Sequence, residues 1–412
     1  MTTRALLFLL IAALTAGVAL AAPAPVNPMT GPWPVRKSGE DSIIDTPHYN
    51  VKTDLGEEAV QVIGAQQEAL YAELFRRMGS IKPQVAVGRY NILAVAKEER
   101  YKSEVGPDAV GGGLFMEAKN LLAVWGPLPV VLRSLRHEGT HQFVRNFIGG
   151  LCPLWLNEGL AEYYQQSEFL NGRLEVGMLA PGWVRAMQAA LREKRYIPVR
   201  QMLTIDHKKW QESMRGDQET ASIQYAEVWS FMHFLVYGDN NRYLVPFQQY
   251  IFNVSRGRTG EKGWEAAFGN DYAGFEARWR EYVLSLNPVA DLECRRHLLV
   301  IGGLVAYARE QKEFTASLPV LRQALVDRKL GGWTVTVGGK AYRSTDAGLV
   351  ALFRCPLDKS TGDAPSYEMV RGPIPPIRCR HHTGMVYETI YDKAASGEIT
   401  PALTTHLAKE VK

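Results

Sequence analysis

Leu135-Arg-His-Glu-Gly-Thr-His-Gln-Phe143, followed by Pro153-Leu-Trp-Leu-Asn-Glu-Gly-Leu-Ala-Glu-Tyr-Tyr164, is the stretch on which the reading of this 412-residue chain turns. Its first half holds His137 and His141 four residues apart, with Glu138 beside the first. On a helix that spacing puts both imidazoles on one face one turn apart, so that they can reach a single metal ion. Glu138 falls at the rim of that face, where a water activated by the metal would sit. Glu158, in the second half, offers a third ligand. Two histidines and one glutamate around zinc leave one position open, the arrangement of a catalytic rather than a structural zinc.

The surroundings support a buried helix under the motif. Leu132, Leu135, Phe143, Val144 and Phe147 recur at near-helical spacing. Gly149-Gly150 is a stop signal, and Pro153 keeps the linker non-helical. A second helix is expected to open near Asn157, a good capping residue type, with Glu158 and Glu162 on one of its faces. Gly159 and Ala161 are small enough to let it approach the first helix closely.

These residues resemble the gluzincin metallopeptidases, and more closely the exported peptidase MA-like domains of unknown function. The resemblance rests on His137-Glu-Gly-Thr-His141, Pro153-Leu-Trp-Leu-Asn-Glu-Gly-Leu-Ala-Glu-Tyr163, and Tyr225-Ala-Glu-Val-Trp-Ser-Phe-Met-His-Phe-Leu with Tyr237-Gly238. It implies His137, His141 and Glu158 as zinc ligands and Glu138 as general base. It also implies Glu162 as the carboxylate that orients a ligating histidine. Tyr225, at the head of an apolar helix where the family pattern carries a tyrosine, is the expected donor to the developing oxyanion, with His233 behind it.

Upstream, Gly111 to Trp125 reads as two short strands around a turn near Ala118-Lys119. An edge strand beside the zinc can pair with an extended peptide through backbone hydrogen bonds. Met116-Glu117 invites comparison with the amine-binding glutamate of gluzincin aminopeptidases, but Ala118 replaces the asparagine of that pattern.

The ends and the cysteines set the expected compartment. Arg4, an apolar run from Ala5 to about Leu20, and Ala19-Leu20-Ala21 form a secretory signal peptide with cleavage near Ala21. Export to the periplasm or beyond follows, with no membrane span expected in the mature chain. Cys152, Cys294, Cys355 and Cys379 form an even set, as expected where disulfides form. Sequence proximity pairs Cys355 with Cys379 and leaves Cys152 to Cys294. Cys379-Arg-His381-His382 is read as a disulfide cysteine beside surface histidines. A net charge of +4, with Lys and Arg scattered among nearly as many acids, gives no basic stripe for nucleic acid.

Composition and breaks divide the chain into a signal peptide (1–21), a Pro-rich lead (22–45), a catalytic domain (46–287) and a C-terminal α/β domain (288–412), with the last break at Asn287-Pro288. In the catalytic domain the pattern gives a strand at His48–Thr53, a helix at Glu57–Met78, a strand at Arg89–Ala96 and a final helix at Phe275–Leu286. Beyond it, Leu298–Arg309 and Ser317–Asp327 look helical. Trp333–Val337, Gly339 and Leu349–Phe353 suggest a small sheet, with loops at Asp358–Pro365 and Pro373–Pro376. The expected fold is α+β, a mixed-sheet half and a mainly helical half with zinc in the cleft between them. The expected reaction is attack of zinc-bound water on a peptide carbonyl of a peptide or protein substrate. The alternatives are a catalytically inactive binding module on the same fold, or an aminopeptidase using Glu117.

Overall fold

The computed structural model describes residues 31–78, 81–83, 88–107, 109, 111–170, 173–214, 218–311, 317–327, 332–337, 340–346, 348–357, 367–380, 385–393 and 399–407. The signal peptide, the first part of the lead, the Asp358–Pro365 loop, Gly339, His381 and His382 lie outside the described residues.

The fold is α+β. Strands β1 (Arg36–Ser38), β2 (Asp41–Asp45), β3 (Tyr49–Thr53), β4 (Tyr90–Val95), β5 (Gly113–Met116) and β6 (Leu121–Trp125) form one mixed sheet in the order β1-β2-β3-β4-β6-β5. The β3–β4 and β4–β6 pairs are parallel and the others antiparallel, which leaves β5 on an edge. The sheet therefore begins ten residues before the expected boundary at 46, in the stretch read as lead (46 − 36 = 10). Helix α1 (Glu57–Met78), with the bounds the sequence pattern gives, crosses from β3 to β4. Helix α3 (Leu128–Phe147) follows β6, and α2 (Glu98–Val105) lies between β4 and β5. Alternate residues of the sheet, Ile44, Val51, Ile92 and Leu122 among them, pack with Val60 and Ile63 of α1 and Val131 and Leu135 of α3.

The second half is helical: α4 (Leu154–Gln165), α5 (Pro181–Glu193), α6 (Val199–Met202), α7 (His207–Met214), α8 (Gln218–Asn241), α9 (Leu244–Ser255), α10 (Gly260–Phe268) and α11 (Tyr272–Ser285). A small hairpin, β7 (Glu168–Leu170) and β8 (Arg173–Glu175), interrupts it. Regular helical backbone in α8 stops before Gly238, which is extended, while Asp239 and Asn240 are left-handed. A Cβ on Gly238 would stand 2.2 Å from the Phe234 ring, so only glycine fits this turn.

Asn287 caps α12 (Pro288–Glu310) by accepting from the Ala290 amide at 3.2 Å, with Pro288 in the first turn, where its missing N–H costs nothing. The break in sequence is thus a helix start. The apolar core runs on through it, from Trp229 and Trp279 to Leu298, Leu304 and Tyr387. After α13 (Leu318–Val326) come the hairpin β9 (Thr334–Val337) and β10 (Lys340–Arg343) and a four-stranded sheet, β11 (Glu368–Met369), β12 (Ile377–Arg380), β13 (Met385–Lys393) and β14 (Ile399–Leu407). Leu349–Phe353, expected in a sheet, is a 3₁₀ turn, with burial at the helical spacing of Leu349 and Phe353.

The expected cysteine pairing is corrected. Cys294 bonds Cys355, and Cys152 lies apart, packed against the helical core near Tyr250. Sequence proximity misled because α12 brings Cys294 onto the C-terminal end of the core, beside the segment that carries Cys355.

Candidate metal centre

Two helices build the site. On α3, His137 and His141 share one face, their Nε2 atoms 3.0 Å apart and their rings nearly perpendicular. On α4, Glu158 Oε2 stands 3.8 Å from each Nε2. All three side chains are 15% exposed, enough to open the site to solvent on one side. His137, His141 and Glu158 can each turn one ligand atom to a common point.

The protons explain why this cluster suits a cation. His141 Nδ1 lies 3.0 Å from Asn157 Oδ1, an acceptor, so that nitrogen carries the proton and Nε2 the lone pair. His137 Nδ1 lies 3.2 Å from Glu162 Oε1, close enough for attraction although its angle falls short of a hydrogen bond. A neutral His137 with its proton on that side would turn the lone pair of Nε2 towards the same point as His141. A cation at the common point would then meet two imidazole lone pairs and a carboxylate. The electrostatics favour positive charge here: burial by itself would lower the His137 pKa, yet Glu162, then Glu138 and Glu158, outweigh it and raise it to about 9, so without a metal the ring holds a second proton that a cation would displace. The residues present fit a bound divalent ion.

Several contacts hold this geometry. Gly139, inside the motif, faces α1; a Cβ there would meet Gln67 Oε1 at 2.7 Å and Leu70 at 3.0 Å. Arg136 donates to Gln66 Oε1 at 2.7 Å and to the Gln165 carbonyl, while Gln66 donates to the Leu132 carbonyl, so α1, α3 and α4 are tied together. Burial, then Arg133, lowers the Arg136 pKa to about 10. Gly159 faces α8 and not α3 as expected: its Cβ would be 2.7 Å from Met232 Cγ and 3.1 Å from the Val228 carbonyl. That close approach brings α8 against α4 beside Glu158.

Tyr225, three residues before Val228 on α8, is half-buried and edge-on to Trp210, with ring centroids 5.9 Å apart. Burial first, then the charges of Glu158, Glu162 and Glu138, raise its phenol to about 12, so the ring shares the electrostatic surroundings of the cluster. His233 does not. It is fully buried, with Nδ1 2.6 Å from the Tyr282 hydroxyl and Nε2 3.2 Å from the Gly177 carbonyl.

On the sheet side, β5 lies next to Glu138. A Cβ on Gly113 would stand 3.0 Å from Glu138 Cγ and 3.2 Å from Oε1, so a glycine here keeps room for the carboxylate. Glu117 is exposed and ion-paired with Arg145, which leaves the amine-binding role with less to recommend it.

Asn157 was missed as a site residue. It was expected as a helix cap, but α4 starts at Leu154 after Pro153, which places Asn157 inside the helix facing His141. Its position immediately before Glu158 was the available signal.

The family model of the Peptidase MA superfamily matches residues 114–285, from β5 to the end of α11. That span holds His137, Glu138, His141, Glu158, Glu162 and Tyr225 together. No curated protein matches the chain.

Proposed function

We propose that this chain is an exported zinc-dependent peptidase, with His137, His141 and Glu158 as zinc ligands. The observation that carries this reading is the convergence of two imidazole Nε2 atoms and one carboxylate, with an acceptor oxygen beside each Nδ1 on the far side. The match to a peptidase superfamily over the same residues supports it. When bound, zinc would supply Lewis acidity and make water a stronger nucleophile at neutral pH.

The chain's own groups would do the rest. Glu138, beside the ligands and outside the converging set, takes the proton of the attacking water and passes it to the leaving amine. Tyr225 donates its hydroxyl to the oxygen that gains charge. Glu162 and Asn157 hold the two rings at fixed angles. The free edge of β5, next to Glu138, accepts an extended peptide or protein segment by backbone pairing.

Export rests on the amino-terminal sequence and on the Cys294–Cys355 disulfide. Among the described residues no helix is long and apolar enough to cross a membrane.

The test is Glu138→Gln. The mature protein should carry about one zinc per chain and digest a peptide library. The variant should keep the metal and lose turnover by a factor on the order of a hundred or more. Undiminished hydrolysis by Glu138→Gln would remove the reading.

A further inference from the structure

The C-terminal unit contains a chemical cluster that hydrolysis at the α3–α4 seam does not use. Cys294 in α12, Cys355 after the 3₁₀ turn and Cys379 in β12 are all buried, and they come from three separate elements. Cys294 and Cys355 are joined as a disulfide across a sequence separation of 61. Cys379 Sγ lies 3.3 Å from Cys294 Sγ and 3.5 Å from Cys355 Sγ.

We propose that these three cysteines form a thiol–disulfide exchange site, in which Cys379 displaces Cys355 from Cys294. The Cys379 thiolate attacks Cys294 Sγ, and a Cys294–Cys379 bond forms as the Cys294–Cys355 bond breaks. The bonding pair leaves on Cys355 Sγ, which takes up the proton that Cys379 gave up. No electron enters or leaves, so the step needs no external oxidant or reductant.

Backbone context selects Cys355 as the leaving partner. Cys379 is almost equidistant from both sulfurs, beside the bond and not on its extension, so one partner has to move for attack to be in line. Cys294 is fixed within a long helix and Cys379 within a strand paired on both sides. Cys355 sits in irregular backbone just past the 3₁₀ turn, outside any helix or strand ladder, where the neighbouring Arg354 amide donates to the Ala351 carbonyl at 3.2 Å and its carbonyl accepts from His297 Nδ1 at 3.0 Å. Loop entropy changes only with the logarithm of loop length, so separations of 61 and 85 differ little and local geometry decides. Exchange would transfer the staple of α12 from the segment around residue 355 to the four-stranded sheet. Cys152 is a built-in control, since it takes no part in the cluster and packs instead against the helical core.

The decisive experiment is disulfide mapping of the native full-length mature protein. It is equilibrated in a mixture of reduced and oxidised glutathione, quenched with acid, alkylated and digested without reduction. A Cys294–Cys379 peptide should appear beside the Cys294–Cys355 peptide. Recovery of Cys294–Cys355 alone overturns the proposal, whatever the variants do. Thiol counting on Cys355→Ser sharpens it. That variant keeps three cysteines, and its thiol count should fall to one on mild oxidation as Cys294 and Cys379 join; a count that stays at three counts against exchange. A Cys355→Ser chain that does not fold leaves the wild-type map to decide. None of these readouts depends on peptidase activity.

Discussion

His137 and His233 are both largely withdrawn from water, on helices that pack against the same α4, yet they are poised in opposite states. Burial lowers the pKa of each. At His137 the carboxylates of Glu162, Glu138 and Glu158 outweigh burial and raise it to about 9. At His233 the ring is enclosed by Trp229, Tyr237 and Tyr282, with no carboxylate among its causes of shift, and the pKa falls to about 4. Depth does not make a cation site; the sign of the charge lining it does. His137 and His141 turn Nε2 towards a carboxylate, whereas His233 spends both nitrogens on Tyr282 and Gly177 and is a packing residue.

The harshest way to break that comparison is His141→Ala. If the α3–α4 seam holds zinc, the variant should lose it by elemental analysis and lose hydrolysis with it, because two ligands remain of three. Full zinc occupancy in that variant would erase the distinction between the two histidine environments. Tyr225→Phe comes next. It removes one hydroxyl and little volume, so kcat should fall by roughly a hundredfold with KM little changed and zinc retained. A variant with normal kcat and a lowered melting temperature would make Tyr225 a core aromatic like the neighbours of His233.

The two regions also differ in how far they can be read from residues. The seam was legible because His137, Glu138 and His141 fall on one turn and Glu158 follows in a short apolar pattern. Helix periodicity then carries them to one place. Asn157 reads as a cap when Pro153 is expected to keep the linker non-helical, whereas α4 starts directly after that proline and carries Asn157 into its interior. Gly159 was read as facing α3 because a small residue announces a close approach without saying to which partner. The C-terminal sheet escaped notice although Ser396-Gly397, a turn-marking pair, lies between β13 and β14. Residues 385–393 mix Glu388, Asp392 and Lys393 into an otherwise strand-like run. The Cys294–Cys355 pairing depends on α12 meeting the segment after the 3₁₀ turn, a tertiary contact with no sequence signature.

Acid should sharpen the contrast at His233. Its folded pKa, about 4, lies below its ordinary value of 6.5. The unfolded chain therefore binds the extra proton first, and the contribution is fully present above about pH 6.5 and lost as pH falls towards 4. One unit is about 1.4 kcal/mol, so the loss across the window is on the order of 3 kcal/mol. Denaturant unfolding of wild type and His233→Gln at a series of pH values isolates it. The variant should be less stable at pH 7, and the gap should narrow on acidification as the wild type alone charges its histidine. Parallel stability curves from pH 7 to 4 would mean that His233 does not stay neutral in the fold.

The smallest expected effect belongs to Asn157, and it tests why the seam's rings are aimed as they are. Asn157 Oδ1 accepts from His141 Nδ1, which fixes the tautomer that leaves Nε2 free for the metal. Asn157→Ala should weaken zinc binding by about ten- to a hundredfold in a chelator competition, with activity largely restored at saturating zinc. Asn157→Asp keeps an acceptor at the same place and should recover most of the affinity. Tyr282→Phe removes the corresponding partner of His233 Nδ1 and should leave zinc affinity unchanged, while costing about 1 kcal/mol of stability through a lost buried hydrogen bond. If Asn157→Ala binds zinc as the wild type does, His141 is oriented by helix packing alone. If Tyr282→Phe loosens zinc as well, the two histidine environments are coupled through α8, and the comparison has to be drawn between the seam and the whole helical core.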